Sequence, residues 1–219
     1  MRLRNIPGAI EIIRKHPNYI AEPENYRGKW AEYFANTNPL QVEIGSGKGK
    51  FITTLARQNQ NINYIAIEKF AAVLLKLVKK IKDENLTNLA ILHEDAENIE
   101  QIFEPGEINK IYLNFSDPWP RKKHAKRRLT NIRFLEMFKK LLSDDGVIAF
   151  KTDNHDLFGY SIEQFELAGF LMDEITYDLH NSPLAEYNVT TEYEEKFISQ
   201  NMPIYALIAY KSNTHPKSI

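Results

Sequence analysis

The sequence has no cysteine among its 219 residues, which excludes disulfide bonds and thiolate metal sites. Its charges nearly cancel, with a formal net charge of −1, so no global attraction to a polyanion follows from composition. No apolar run reaches membrane-spanning length, and no apolar core of a signal peptide follows the amino terminus. No His spacing typical of a metal site is present. The expected location is therefore the cytoplasm, without membrane contact and without a metal.

The order of apolar patterns after residue 38 predicts one large α/β domain. Strand-like runs lie at 40–44, 62–67, 89–92, 110–115 and 146–150, with two more near 170–177 and 204–210. Helical patterns separate these runs, and the clearest covers 70–84. Strands that alternate with helices form a parallel sheet with right-handed crossovers. We predict this domain over residues 39–211, followed by a flexible polar tail over 212–219.

A dense basic run stands out against the balanced composition. Six of the eight residues from Arg121 to Arg128 are basic, whereas 28 Lys and Arg in 219 residues give about one in any eight. The run follows a strand that breaks at Ser116-Asp117-Pro118, and loops at the carboxyl ends of parallel strands form the binding crevice. A polyanionic substrate is therefore predicted, although a solvated surface loop is the alternative. The predicted RNA contacts are Lys122, Lys123, Lys126, Arg127 and Arg128.

Residues 1–38 contain no clear strand and are predicted to form a basic, partly helical extension. A short helix from Pro23 to Phe34 would place Tyr26, Trp30 and Tyr33 on one stripe with Phe34. Such a stripe is more often a packing surface than a binding surface. We interpret the extension as a lid or as a segment that touches RNA.

The first predicted strand leads into Gly-Ser-Gly-Lys-Gly, a pattern typical of a ligand-binding turn. Gly45, Gly47 and Gly49 allow the backbone to turn tightly and to approach a ligand. The pattern is weak alone and lacks the ending of a Walker loop. Glu43, two residues earlier, would repel a pyrophosphate but attract a sulfonium or ammonium group. S-adenosylmethionine carries both of these groups and no phosphate, and it is the predicted cofactor.

Acidic residues at the ends of the next two strands are predicted to complete the cofactor site. Glu68 lies 19 residues after Gly49, close to the ~20-residue spacing at which an acid meets ribose hydroxyls in nucleotide-binding folds. Asp95 and Ala96 follow the third strand, where they would meet the adenine amino group. Asp95 is equally suited to cap a helix, and the two roles are compatible.

Together these motifs resemble the bacterial tRNA (guanine-N7)-methyltransferases. The shared segments are Gly-Ser-Gly-Lys-Gly, Ile-Ala-Ile-Glu, Glu-Asp-Ala, Leu-Asn-Phe-Ser-Asp-Pro-Trp-Pro with the basic run, Phe-Lys-Thr-Asp-Asn and Thr-Glu-Tyr-Glu-Glu-Lys-Phe. The resemblance covers nearly the whole chain, and Asp-Pro-Trp-Pro with Thr-Glu-Tyr-Glu is its most specific part. One departure is Pro7-Gly8, where Pro-Trp is expected, and it concerns only the packing of the extension.

The resemblance implies a Rossmann-like, seven-stranded and mainly parallel sheet with helices on both faces and an antiparallel last strand. It implies methyl transfer from S-adenosylmethionine to N7 of a guanine in tRNA, with the variable loop as the expected position. It places Glu43, Glu68, Asp95 and Asp117 at the cofactor or reaction site. The implied substrate contacts are Arg121, Asp153, Thr191, Glu192, Tyr193 and Glu194. The sequence is compatible with either a monomer or a homodimer.

The implied chemistry needs no general base, because guanine N7 carries a lone pair and no proton. Catalysis can rest on holding N7 in line with the sulfonium, an orientation effect worth up to ~7–11 kcal/mol in favourable cases. The methylated base is cationic, so the catalytic role predicted for Asp117 is either to stabilise that charge or to orient the base. Asp153 or Glu194 would accept hydrogen bonds from the guanine N1–H and N2–H₂ donors.

Several alternatives stay open at this point. A methyltransferase acting on an exocyclic amine of a nucleic-acid base would share most of the motifs. An NAD-dependent oxidoreductase would share the glycine turn and the acid at Glu68, but Glu43 and Lys50 disfavour it. A non-catalytic RNA-binding protein would not need acids at successive strand ends. Locally, Thr190 or Thr191 also fits the cap of a helix, with Glu194 or Glu195 completing a capping box and with Tyr193 and Phe197 on the buried face.

Overall fold

The computed structural model describes residues 6–200 and 202–211, and strands and helices alternate through these ranges as the apolar patterns predict. The predicted tail at 212–219 lies outside the described residues. Within the described ranges no helix is long and apolar enough to cross a bilayer. Eight strands and eight α-helices are found there, and they divide between a first unit that ends at Glu104 and a second that follows it.

The first unit contains four parallel strands in the order β1-β4-β3-β2. They are β1 (Tyr19–Ile20), β2 (Leu40–Ile44), β3 (Asn63–Ile67) and β4 (Leu89–Leu92). The helices are α1 (Ala9–Ile13), α2 (Trp30–Phe34), α3 (Lys50–Gln58), α4 (Ala71–Lys80) and α5 (Ile99–Ile102). Every residue of β3 and β4 is buried, which explains why their sequences, apart from Asn63, are continuous apolar runs rather than alternating ones.

The amino-terminal extension packs into this first unit. Helix α1 contributes Ile13 to the apolar core that α4 forms. Strand β1 pairs with β4, and the side-chain amide of Asn18 donates to the carbonyl of Leu89 at 2.6 Å. The prediction of no strand here is wrong, because a strand of two residues has no apolar period to detect. Arg2 and Arg4 of the basic extension lie outside the described residues.

The aromatic residues of the extension form a packing cluster, as the simpler of the two interpretations predicts. Trp30 is only 2% exposed, and its ring centroid lies 5.6 Å from that of Phe103. Its indole Nε1 donates to the carbonyl of Ile102 at 3.1 Å. The single predicted helix is two pieces, a 3₁₀ turn at Pro23–Tyr26 and α2, because Gly28 adopts a left-handed φ of 72° between them.

The second unit contains four strands in the order β5-β6-β8-β7. They are β5 (Ile108–Asn114), β6 (Leu142–Thr152), β7 (Leu171–Thr176) and β8 (Tyr205–Tyr210). The helices are α6 (Ile132–Leu141), α7 (His155–Leu167) and α8 (Glu192–Ile198). Strands β5 and β6 are parallel, whereas β8 is antiparallel to both β6 and β7. The antiparallel last strand that the resemblance implies is confirmed.

The seven predicted strands correspond to β2 through β8, and β1 is the additional one. Strand β6 begins at Leu142, before the predicted start at 146. The register explains the difference, because Ile108 pairs with Leu142 while Lys110 pairs with Val147. The intervening Ser-Asp-Asp-Gly sequence has the composition of a turn but passes through an irregularity in the strand. The predicted mainly parallel α/β fold is confirmed.

Candidate active site

The glycine loop follows β2 directly, at the carboxyl end of the first unit's strands. Gly45, Gly47 and Gly49 all have positive φ, at 81°, 60° and 79°. A Cβ atom placed at Gly45 or Gly47 would meet no described atom within 4 Å, whereas one at Gly49 would overlap the side chain of Leu77. Gly45 and Gly47 therefore leave open space that suits a ligand. Gly49 is required for the close approach of the loop to α4.

The hydroxyl of Ser46 is buried within the same loop. Its Oγ has no hydrogen-bond partner among the residues that the structure describes. Buried polar groups are nearly always hydrogen-bonded, so this hydroxyl is suited to meet a polar group of a ligand. The loop backbone is fixed, because the N–H groups of Gly45 and Ser46 donate to the carbonyl of Ile67 at 2.8 and 2.9 Å. Sequence reasoning missed Ser46, since a serine between glycines carries no distinctive signal.

Glu68 follows β3, and its carboxylate holds the glycine loop in place. Oε2 accepts from the Gly47 N–H at 3.1 Å, and Oε1 accepts from the Phe70 N–H at 2.9 Å. The residue is 7% exposed, and this burial raises the pKa of the carboxyl against the effect of its hydrogen bonds. An ionised carboxylate has about four lone-pair sites, so acceptor capacity remains for ribose hydroxyls. The ribose contact stays a prediction, and loop anchoring is a second role.

Glu43 and Asp95 differ in their exposure. Glu43 lies inside β2 and is buried, so its negative charge would attract a nearby cationic ligand with little screening by water. Asp95 is partly exposed, and its side chain caps the 3₁₀ turn that contains the buried Ala96 by accepting from the Glu97 N–H at 3.2 Å. Lys69 also pairs with Asp95, at 3.5 Å between Nζ and Oδ2. The capping interpretation of Asp95 is confirmed, and its contact with adenine stays a prediction.

In the second unit, Asp117 lies on a strained loop after β5. Phe115 and Trp119 have φ values of 51° and 41°, in the left-handed region that non-glycine residues seldom adopt. Asp117 is exposed between them. The neighbouring Ser116 hydroxyl is buried and lacks a hydrogen-bond partner within the described part of the chain. Strained backbone and orphaned polar groups concentrate at functional sites, which supports the predicted place of Asp117.

Two sets of contacts hold this loop. The ring of Phe115 stacks on Phe197 of α8, with centroids 6.2 Å apart and planes at 9°. The guanidinium of Arg128 donates to the carbonyls of Pro118 and Trp119 at 2.9 and 3.2 Å. Arg128, predicted as an RNA contact, therefore has a structural role that the sequence did not indicate. A phosphate contact by Arg128 stays a prediction.

The other cations of the basic run point to solvent around a 3₁₀ turn at Lys122–Arg127. The Arg127 guanidinium lies 4.9 Å from the centroid of the Trp119 ring and is still exposed. The remaining exposed cations are Arg121, Lys122, Lys123 and Lys126. An exposed cluster of one sign attracts a polyanion from solution, and its contacts with phosphate stay predictions.

Asp153 lies just after the carboxyl end of β6, as predicted from the sequence. It is half-buried and directly precedes Asn154, which caps α7 by accepting from the Leu157 N–H at 2.8 Å. Residues at this end of a parallel strand border the binding crevice of open α/β sheets. The predicted contact of Asp153 with substrate remains a prediction with a suitable location.

Helix α8 starts with a capping box, as predicted, and of the candidate residues it is Thr191 and Glu194 that form it. The Thr191 hydroxyl accepts from the Glu194 N–H at 3.0 Å, and the Glu194 carboxylate accepts from the Thr191 N–H at 3.2 Å. Glu194 is fully buried, which supports its structural interpretation over a direct guanine contact. Tyr193 was predicted on the buried face but is 60% exposed, because the box turns Glu194 inward. Glu192 is half-buried, and its substrate contact stays a prediction.

Comparison with known proteins identifies the family. Residues 37–207 match the profile of a family described as "Putative methyltransferase". The chain is 52% identical to the tRNA (guanine-N(7)-)-methyltransferase of Lachnoclostridium phytofermentans, over 96% of this chain and 99% of that protein. It is 47% identical to the protein of the same name from Bacillus subtilis, over 94% and 96%. The chain belongs to the tRNA (guanine-N7)-methyltransferase family.

Solved structures confirm the fold of this family member. The 16S rRNA methyltransferase KamB matches with a TM-score of 0.63 at 14% identity, over 84% of this chain and 92% of that chain. A protein titled "Structure of an Antibiotic Related Methyltransferase" matches with a TM-score of 0.60 at 17% identity and the same coverage. At these identities the likeness concerns the fold alone, which is the Rossmann-like methyltransferase fold.

As a member of the tRNA (guanine-N7)-methyltransferase family, the chain is an enzyme whose methyl donor is S-adenosylmethionine. The first unit fits this cofactor in its chemistry. It offers an open glycine turn, the orphaned Ser46 hydroxyl and the buried carboxylates of Glu43 and Glu68. These groups suit a cationic ligand with hydroxyls and disfavour a pyrophosphate. Among the described residues, no group of three or more His, Asp or Glu side chains is placed to hold a metal ion.

Proposed function

We propose that the chain transfers the methyl group of S-adenosylmethionine to N7 of a guanine in the variable loop of tRNA, in the cytoplasm. The names of its relatives support the reaction, since these tRNA (guanine-N(7)-)-methyltransferases share about half of the sequence over nearly the full length. The single observation that carries the residue assignment is the exposed Asp117 carboxylate on its strained loop beside the cationic turn.

The cofactor, when bound, supplies a methyl group activated by attachment to a sulfonium. Glu43 and Glu68 hold the ligand by charge and by hydrogen bonds, and the open turn at Gly45 and Gly47 lets the backbone approach it. No residue needs to remove a proton from guanine N7. The protein contributes to catalysis by orienting the base and by stabilising the positive charge that develops on it.

Asp117 is the group best placed for that second task. An exposed carboxylate in the free protein becomes desolvated when a base covers it, and its attraction for a developing cation then rises. Exposed Arg121, Lys122, Lys123, Lys126 and Arg127 would hold the phosphates on either side of the target nucleotide. Asp153 and the first turn of α8 complete the proposed contacts with the base.

The target atom is tested with tRNA that carries 7-deazaguanine in the variable loop. This base keeps its Watson–Crick edge but has carbon at position 7, so we expect binding without methyl transfer. Unmodified tRNA should give a product that aniline cleaves after borohydride reduction. Methylation of the 7-deaza RNA would move the target to ring N1 or to the exocyclic amine.

The role of Asp117 is tested with Asp117→Asn. We expect kcat to fall about 10²-fold while the Kd for S-adenosylmethionine stays unchanged, because the lost charge matters most in the transition state. Asp83→Asn, at another exposed aspartate, is the matched control and should leave both values unchanged. An equal loss in cofactor affinity and in kcat would instead assign Asp117 to the cofactor.

A further inference from the structure

A buried lysine on β6 has no role in the chemistry described above. The Lys151 side chain is 7% exposed and lies two residues before Asp153. Its ammonium group makes three contacts, with the Glu194 carboxylate at 2.6 Å, the Val189 carbonyl at 2.8 Å and the Asn188 side-chain oxygen at 2.9 Å. All three N–H donors are therefore used, and the acceptors lie in the first turn of α8 or in the segment just before it.

The carboxylate of Glu194, which pairs with Lys151, also accepts several hydrogen bonds. Glu194 accepts from the side-chain amide of Asn188 and from the backbone N–H of Thr191. Nε2 of His180 lies 3.4 Å from the other carboxylate oxygen. The segment from 188 to 194 is thus fixed by one network whose only charged donor on β6 is Lys151. Tyr193, in the same turn, is left exposed with its ring centroid 5.9 Å from that of Phe115.

Lys151 also reaches the Asp117 loop through its backbone. Its carbonyl accepts from the Phe115 N–H at 2.9 Å, at the first strained residue of that loop. One residue thereby connects three elements of the second unit that carry proposed substrate groups. The carbonyl of Lys151 contacts the Asp117 loop, and its ammonium group contacts α8. Asp153 directly follows β6, the strand that contains Lys151.

We propose that Lys151 is the positioning residue of the substrate side, setting the relative places of Asp117, Asp153 and the first turn of α8. This inference rests on the proposed function, because it assigns these three elements to one reaction. A buried ion pair adds little net stability over apolar residues of equal size, so stability alone does not account for it. Its directional contacts hold the loop before α8 in one place, which an apolar contact does not do.

The test compares wild type with the paired substitution Lys151→Met and Glu194→Gln. Removing both charges avoids leaving a buried, uncompensated carboxylate, which Lys151→Met alone would do. We expect kcat to fall about 10²-fold because a small misplacement of reacting groups has an effect of that size. The KM for tRNA should change less than about threefold, since the exposed cations remain. Lys151→Arg, which keeps the charge, should recover part of kcat.

Lys139→Met is the matched control in the same unit. Lys139 donates to the carbonyls of Ala168 and Gly169 at 2.9 and 2.7 Å, so its loss should lower thermal stability but leave kcat unchanged. Hydrogen exchange at the amides of Phe115 and Glu194 should accelerate in the paired variant and not in Lys139→Met. Wild-type kcat in a paired variant with unchanged exchange would overturn the proposal. If wild type itself does not methylate tRNA, the proposed function fails, and the exchange data still decide the role of Lys151.

Discussion

The two units hold their ligand groups in opposite ways. In the first unit the carboxylates of Glu43 and Glu68 are buried, and backbone fixes that of Glu68 through its bonds to the N–H groups of Gly47 and Phe70. In the second unit Asp117 and most of the basic run are exposed, and their loop is strained and held by side chains. Buried carboxylates suit a small cationic cofactor, whereas exposed cations suit a large polyanion.

This difference has a consequence for energetics. Buried charges are little screened by salt, so the groups of the first unit should act almost independently of ionic strength. Exposed cations bind phosphates largely by releasing counterions, so their contribution falls steeply as salt rises. The strained loop adds a third behaviour, because its conformation depends on neutral contacts such as the stacking of Phe115 on Phe197.

The largest expected effect comes from the exposed cations. Replacing Lys122, Lys123, Lys126 and Arg127 with glutamine should weaken RNA binding by on the order of 10²–10³ at moderate salt. The slope of log K against log salt should become shallower by about three, since each lost phosphate contact removes about 0.7–0.9. Binding titrations at several salt concentrations measure both, and calorimetry should show unchanged cofactor affinity.

Arg128 provides the contrast within the same run. Because it donates to the carbonyls of Pro118 and Trp119, Arg128→Gln should lower kcat by loosening the Asp117 loop and hardly change the salt slope. A slope change equal to that of a single exposed lysine would make Arg128 a phosphate contact. In that case the division between exposed cations and loop contacts would be wrong.

Substitutions in the glycine loop should have smaller effects, and they distinguish a glycine needed for packing from one needed for cofactor binding. Gly45→Ala and Gly49→Ala both place a side chain at positive φ, but only Gly49→Ala also overlaps Leu77. We expect Gly49→Ala to lower the free energy of unfolding by about 1–3 kcal/mol more than Gly45→Ala in urea titrations. Gly45→Ala should mainly weaken cofactor binding. Adding Leu77→Ala should relieve part of the loss in Gly49→Ala, and equal losses in the two single variants would contradict the assignment.

Sequence reasoning found what local patterns encode. Strands β2 to β8 and helix α4 follow from apolar periodicity, which depends only on neighbouring residues. The cap at Asp95 and a capping box at the start of α8 follow from local spacings, whereas the structure selects Thr191 and Glu194 for that box. The acids at strand ends were found because parallel strands bring their carboxyl ends to one edge.

The features that could not be predicted from the sequence depend on contacts between residues distant in the chain. Lys151 and Glu194 are 43 positions apart, and neither position shows a periodic or spacing signal for the pair. Arg128 resembles the other cations of its run until its bonds to the loop are seen. Strand β1 forms only because β4 offers an edge to a two-residue segment. Burial and pairing of this kind are set by the folded chain, not by local composition.

The smallest expected effect is a pH dependence that identifies the buried carboxylate. Burial raises the pKa of Glu68 in the folded protein, so between the ordinary carboxyl pKa and the raised one the folded state binds more protons than the unfolded state. Stability from this group is therefore greatest at low pH and is lost as pH rises through that window. Subtracting the unfolding free energy of Glu68→Gln at each pH cancels the other titrating groups.

We expect wild type to lose stability relative to Glu68→Gln as pH rises from about 4 towards neutrality, as measured by urea unfolding without cofactor. The variant also loses one acceptor for the Gly47 N–H, which adds a constant offset and leaves the slope unchanged. A cationic cofactor favours ionised Glu68 and should flatten the slope when present at saturation. A difference that stays flat without cofactor, or that rises with pH, would mean that Glu68 is not held in a desolvated site. The contrast between buried carboxylates in the first unit and exposed groups in the second would then lose its thermodynamic support.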